Sequence, residues 1–262
     1  MKQKNFLTKI FTLSLVVLIT ISGCKKEDST DNSTDNTDND EYPASIVGFL
    51  TLYDQYGSKQ LTNMEGIEVS VEGSSTKVYT DSAGRYEING LTTGNYNIDF
   101  NDTSNVYGED KILALQVVSD TVYRDVKLSQ VPSFSLNSCS AVDTSIQSVD
   151  YIKVVVNASS SDTYTRSVVV FVGTSSNVTS NPSTYLLLYP KSLTGGNTSC
   201  NVTIPLADLY GAGFTSGSTL YVAAYPAAIN YSSSSSYEDF NTGRTVYNAI
   251  GSTAVTTTIT VQ

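Results

Sequence analysis

The sequence has no histidine and no tryptophan, and only three cysteines among 262 residues. Without imidazole there can be no serine–histidine or cysteine–histidine couple and no histidine zinc ligand. No side chain titrates near neutrality at its ordinary pKa. The missing tryptophan removes the largest ring for stacking on a sugar and leaves that task to the 18 tyrosines. Basic residues are scarce: 15 Lys and Arg against 25 Asp and Glu give a net charge of −10. There is no long basic run or basic patch interleaved with aromatics, which argues against a nucleic-acid partner.

Catalytic motifs are also lacking. Ser74-Ser75-Thr76-Lys77 fits S-x-x-K, but it falls between two strand patterns instead of opening a helix. The serine of Gly213-Phe214-Thr215-Ser216-Gly217 stands one place late for a nucleophile elbow. The adjacent acids Glu109-Asp110 and Glu238-Asp239 read as solvated loop charge, since a glycosidase pair needs two carboxylates facing across a cleft. The chain is therefore read as a non-enzyme with no cofactor and no metal site.

What is present begins with a basic head of Lys2, Lys4 and Lys9 and an apolar run from Ile10 to Ile21, followed by Ser22-Gly23-Cys24. The run is too short for the roughly 20 residues of a membrane-spanning helix, and its order is that of a secretory signal. Residues 25–42 carry seven acids, two lysines and a repeated STDN unit. With almost nothing apolar to bury, this segment is expected to be a disordered acidic tether. Its Asp and Asn residues lack the glycine turn of a calcium loop.

Beyond the tether, short alternating strand patterns separated by Gly, Asn, Asp and Ser predict an all-β chain of two tandem sandwiches. Composition shifts near Val131-Pro132: residues 43–131 hold 12 acids and 6 bases, while the rest is sparsely charged and carries ten of the tyrosines. The expected organisation is a signal over 1–23, a lipidated cysteine and tether over 24–42, and sandwiches over 43–131 and 132–262. In the first sandwich Ile67, Val69 and Val71 alternate with Glu68, Ser70 and Glu72, and Tyr86, Ile88, Tyr96, Ile98 and Phe100 continue the buried face. In the stretch TDSAGRYEING, Asp81 can bind its own backbone and Gly84 can take a positive φ, so the stretch is a turn.

Four resemblances sharpen this reading. Ile21-Ser22-Gly23-Cys24 resembles the lipobox of bacterial lipoproteins, which implies cleavage before Cys24 and its acylation as a membrane anchor. Lys26-Glu27-Asp28 resembles the export signal of Bacteroidetes-type surface lipoproteins and implies an outer-membrane protein facing the medium. The pattern GIEVSVEGSSTKVYTDSAGRYEINGLTTGNYNI, with VVSDTVYRDVKL, resembles the carboxypeptidase regulatory-like domain, a transthyretin-like sandwich of seven strands whose members are accessory modules. Residues 133–262, from PSFSLNS to TAVTTTITVQ with GSTLYVAAYPAA between them, resemble a fibronectin type III or immunoglobulin-like module of seven strands. That resemblance implies Tyr221 as the inward aromatic of the sixth strand. It also sets Cys139 and Cys200 towards opposite ends of one sheet, too far for a disulfide, although an exported protein favours one. Pro205 to Leu209 is expected to form one helical turn with proline at its first position.

Asp28-Ser29-Thr30, Asp81-Ser82-Ala83 and Asp120-Thr121-Val122 resemble the acceptor triplet of Bacteroidetes-type O-glycosylation, with Ser29, Ser82 and Thr121 as acceptors; ordinary turn chemistry explains them equally well. The segment Ala227 to Arg244 is far longer than a hairpin loop needs. It carries Tyr231, Tyr237, Glu238, Asp239 and Phe240. Two alternatives stand: a binding loop, or aromatics folded back to cap the sandwich. The expected function is a surface-displayed binding or adhesion module, with a glycan or protein ligand and the membrane as partners. The alternative is an accessory structural or glycan-binding subunit of an outer-membrane polysaccharide-uptake assembly.

Replacing Cys24 with Ala is expected to release the protein from the membrane fraction. Detergent partitioning that does not change would refute lipidation. Replacing Lys26, Glu27 and Asp28 together with Ala should abolish protease accessibility on whole cells while leaving lipidation intact.

Overall fold

The computed structural model describes residues 43–118, 120–147, 149–230 and 236–262. The expected signal and tether, with Cys24, Lys26, Glu27, Asp28 and Ser29, lie outside the described residues, as does Tyr231. The remainder is almost entirely β, arranged as tandem sandwiches.

The first sandwich comprises β1 (Ala44–Tyr53), β2 (Glu68–Val71), β3 (Lys77–Tyr79), β4 (Arg85–Leu91), β5 (Gly94–Asn101), β6 (Asp110–Val117), β7 (Thr121–Tyr123) and β8 (Val126–Ser129). One sheet centres on β1, which pairs antiparallel with β4 and parallel with β7 and then β8. Its partner sheet runs β3-β2-β5-β6. The alternating residues face inward as the period requires: Ile67, Val69, Val71, Tyr86, Ile88, Ile98 and Phe100 are buried in one cluster. The TDSAGRYEING stretch is a turn. Asp81 Oδ1 accepts the N–H groups of Ala83 and Arg85, both at 2.9 Å. Gly84 sits at φ +79°, and a Cβ there would lie 2.4 Å from the Leu50 carbonyl oxygen.

The second sandwich comprises β9 (Leu136–Ile146), β10 (Val149–Ala158), β11 (Arg166–Gly173), β12 (Leu187–Leu193), β13 (Ser199–Pro205), the helical turn α1 (Leu206–Gly211), β14 (Thr219–Ala227), β15 (Ser236–Asp239), β16 (Arg244–Tyr247) and β17 (Val255–Thr260). The sheets run β13-β10-β9 and β12-β11-β14-β17, and β15 pairs with β16 as a separate hairpin. The seven expected strands are β9 to β14 and β17, and the hairpin is an addition between the last two. Pro205 ends β13 and stands at the N-cap of α1, not at its first helical position.

Tyr221 does not point into the space between the sheets. Leu220, Val222 and Ala224 do, joining Val168, Val170 and Val172 of β11. The opposite face of the same two strands is apolar too: Val169, Phe171, Ala223, Tyr225 and Ala227 are covered by Val178, Tyr185 and Tyr247. Tyr221 packs at the margin of this outer cluster. A sheet buried on both faces needs unbroken apolar strands in place of alternating ones, which accounts for VVVFV and YVAAY.

The cysteines also differ from expectation. Val156 on β10 is paired with Cys139 of β9 on one side and Cys200 of β13 on the other. The two thiols therefore sit at one level of the sheet, not towards opposite ends. Two strand spacings, about 9–10 Å, separate them, which is beyond disulfide reach. Both cysteines are free. Burial pushes the Cys139 thiol up to about 11 and raises that of Cys200.

The two cores lie on either side of Val131-Pro132, yet residues 41–262 form one compact unit. The buried carboxamide of Gln55 accounts for much of the junction. Its Nε2 donates to Ser133 Oγ at 2.9 Å and its Oε1 accepts the Ser133 N–H at 3.0 Å. Its backbone carbonyl accepts the N–H of Ile229 at 3.1 Å. Beside it Tyr56 donates to Asp162 Oδ2 at 2.8 Å and its ring packs against Tyr164. At the other side of the junction the backbone of Asn248 approaches Gly108 so closely that a Cβ would lie 2.5 Å from its carbonyl oxygen.

Gly84→Val should lower unfolding free energy by at least about 1–3 kcal/mol, since it imposes both a positive φ on a branched residue and a clash with backbone. Denaturant melts would measure it, and an unchanged midpoint would show that the turn can relax freely.

Candidate functional site

The hairpin β15–β16 lies beside β6, the last strand of the first sandwich's β3-β2-β5-β6 sheet. The hairpin is anchored from behind. Tyr185 donates its hydroxyl to the Thr245 carbonyl, and Arg244 donates to the Pro182 carbonyl at 2.6 Å while its guanidinium lies over the Tyr185 ring. At its tip Asp239 accepts from Asn241 N–H and from Thr242 Oγ1 at 2.7 Å, and its carbonyl accepts the Gly243 N–H. Those bonds hold the Asp239 carboxyl below its ordinary range, the Thr242 hydroxyl contributing most.

The facing wall comes from β5 and β6. Opposite Asn97 the ladder takes two residues, Leu113 and Ala114, where β5 has one, so β6 bulges there. Ala114 adopts φ +50°, a costly conformation for a residue with a Cβ. The bulge is held by Asn97, whose Oδ1 accepts the Ala114 N–H at 2.8 Å and whose Nδ2 donates to Glu72 at 2.6 Å. Lys111 is paired with Asp99 at 2.6 Å, and that bond raises the ammonium pKa.

Between the two walls runs a cleft divided by Tyr237. On one side is a chamber of about 350 Å³ bounded by Glu72, Asn97, Lys111, Leu113, Asp239, Phe240 and Asn241. On the other is one of about 270 Å³ bounded by Asn105, Tyr107, Gly108, Glu109, Val131, Val246 and Asn248. Tyr237 is half-buried, and burial raises its phenol pKa. Phe240, at the hairpin tip, is 65% exposed.

The expected binding loop is thus partly strand. Tyr237, Asp239 and Phe240 reach the cleft, while Glu238 is exposed and lies outside its lining. Capping of the sandwich falls to Tyr185 and Tyr247. Ser82 is an exposed turn residue remote in sequence and lining from this cleft. The Thr121 hydroxyl is within hydrogen-bonding distance of Ser45 Oγ, at 2.9 Å on a half-buried strand. The first sandwich's share of the cleft, including Glu72, Asn97, Lys111 and Tyr107, was not singled out by sequence reasoning. The long segment between β14 and β17 pointed to Tyr237, Asp239 and Phe240 but not to the wall they face.

Asp110 corrects the reading of Glu109-Asp110 as solvated loop charge. It begins β6, is half-buried, and burial pushes its carboxyl up to about 7. Because the folded value stands above the ordinary 3.8, ionisation of Asp110 opposes folding. Below about pH 4 the group is protonated folded and unfolded, so there is no penalty; the penalty grows up to about pH 7 and is complete above it. Asp110→Asn should therefore match the native chain's melting temperature near pH 4 and exceed it near pH 8. Equal melting temperatures at both pH values would show that Asp110 is not desolvated.

No family model matches the chain, and no curated protein matches it. Solved structures that the chain matches include a candidate carbohydrate-binding protein from Bacteroides uniformis, 17% identical over 83% of this chain and 99% of that one, with a TM-score of 0.32. A DUF3823 family protein from Bacteroides ovatus is 13% identical over 84% and 100% of the two chains, with a TM-score of 0.27. The minor pilin GBS52 of Streptococcus agalactiae is 18% identical over 35% and 46%, also with a TM-score of 0.27. At these scores none of them transfers a site or a ligand to this chain.

Proposed function

We propose that this chain is a non-enzymatic binding module, anchored in the outer membrane through an acylated Cys24 and facing the medium, that takes its ligand in the cleft beneath β15–β16. The supporting observation is Phe240, left 65% exposed on a hairpin braced by Tyr185 and Arg244. An exposed ring at the margin of a cleft, carried on a braced hairpin, is a typical contact anchor. The lining holds aromatic rings, amides and carboxylates, groups that can bind a polar ligand. The firm junction at Gln55 favours a second reading, an accessory subunit of a polysaccharide-uptake assembly that mainly holds geometry. A nutrient-transporter gene beside this one would support it.

Once a ligand is identified by glycan array and pull-down with the mature chain, Phe240→Ser should weaken binding about tenfold or more at an unchanged melting temperature. Full affinity in Phe240→Ser would move the contact surface elsewhere, and a large drop in melting temperature would assign the ring to packing.

A further inference from the structure

The chemistry of the cleft says what kind of ligand suits it. We propose that it takes a neutral, hydroxyl-rich glycan laid across Tyr237, with one ring in each chamber, and that it rejects acidic glycans. This rests on the cleft reading above and narrows it to a ligand class.

Charge is the first argument. Of the residues lining the two chambers, Glu72, Glu109 and Asp239 are acidic and Lys111 is the one cation. Lys111 is already paired with Asp99, so an incoming carboxylate or sulfate would meet carboxylates in a partly desolvated groove with no cation to receive it. A neutral hydroxyl meets no such barrier, and the same carboxylates can accept its hydrogen bond.

The second argument is Asn248. Its side-chain oxygen and nitrogen are both buried, and neither makes a hydrogen bond among the described residues. A buried amide without partners is costly. Asn248 borders the smaller chamber, and the close approach of its backbone to Gly108 fixes its position. Both atoms are sealed from the chamber in this structure, so the proposal requires the side chain to turn outward on binding, where its donor and acceptor would meet two neighbouring hydroxyls of a sugar ring. The third argument is the rings: Tyr107 in the smaller chamber, Tyr237 between the two and Phe240 in the larger bring three aromatic side chains to the lining, the residue type that packs on the C–H face of a pyranose. Size agrees, since the two chambers together fall within the roughly 300–1,000 Å³ of ordinary ligand sites.

The test is titration calorimetry of the mature chain with short neutral gluco-, manno- and xylo-oligosaccharides and with oligogalacturonate of matched length. At least one neutral series should bind and oligogalacturonate should not. Asn248→Leu should weaken the neutral ligand about tenfold while leaving the melting temperature equal or higher, because it removes an unpaired buried amide; a residue serving only structure would lower it. If Asn248→Leu fails to fold, Tyr107→Leu probes the same chamber. Glu109→Lys should admit oligogalacturonate. Oligogalacturonate binding to the native chain as tightly as the neutral series would overturn the charge selection, and neutral binding untouched by Asn248→Leu or Tyr107→Leu would overturn the ring placement. Binding of no neutral glycan would overturn the proposal altogether. The cleft reading itself fails separately, if Phe240→Ser leaves binding of a captured protein partner unchanged.

Discussion

The buried carboxamide of Gln55 is central to how the two halves of this protein are held in register. Gln55 leaves the end of β1, and its side chain gives both its donor and its acceptor to Ser133, just past the linker proline. Its carbonyl receives Ile229, just past β14. Three segments distant in sequence thus converge on one residue whose polar groups are satisfied internally, as burial demands. The cleft depends on this arrangement, because one wall belongs to β5 and β6 and the other to the hairpin of the second sandwich.

The second constraint is the doubly buried sheet. β11 and β14 are apolar on both faces, so a layer must cover the outer one, and Val178, Tyr185 and Tyr247 supply it. Tyr185 then ties that layer to the hairpin through Thr245 and Arg244. The same residues that keep water from the sheet therefore fix the angle at which Tyr237 and Phe240 meet the first sandwich. Packing and site geometry are one arrangement here.

The all-β architecture was legible because its signals are local. Period-two alternation at Ile67 to Val71 and the Asp81-Gly84 turn each depend on a few neighbouring residues, and the seven strands expected in the second half are present, although β9 runs on to Ile146, well past the PSFSLNS pattern. The non-alternating runs VVVFV and YVAAY are the signature of a sheet covered on both faces, whereas the fibronectin type III resemblance implied one inward aromatic at Tyr221, which lies at the margin of the outer cluster. The cleft was half legible. Aromatics in a long polar segment marked Tyr237 and Phe240, whereas Lys111, Asn97 and Tyr107 belong to ordinary strand and loop sequences and acquire a role only when β6 meets the hairpin. The burial of Asp110 escaped notice because adjacent acids look solvated until the strand that one of them begins is packed into its sheet.

The position of β10 between Cys139 and Cys200 has a consequence for biogenesis. A strand hydrogen-bonded on both edges keeps the thiols apart in the native state, so the fold leaves no bond between them for an oxidant to make, and a cross-link there would have to displace a central strand. Shielded and held in the protonated form, the two sulfurs are also poor substrates for oxidation. Neither the packing of β9 nor that of β13 therefore rests on a bond between these two sulfurs.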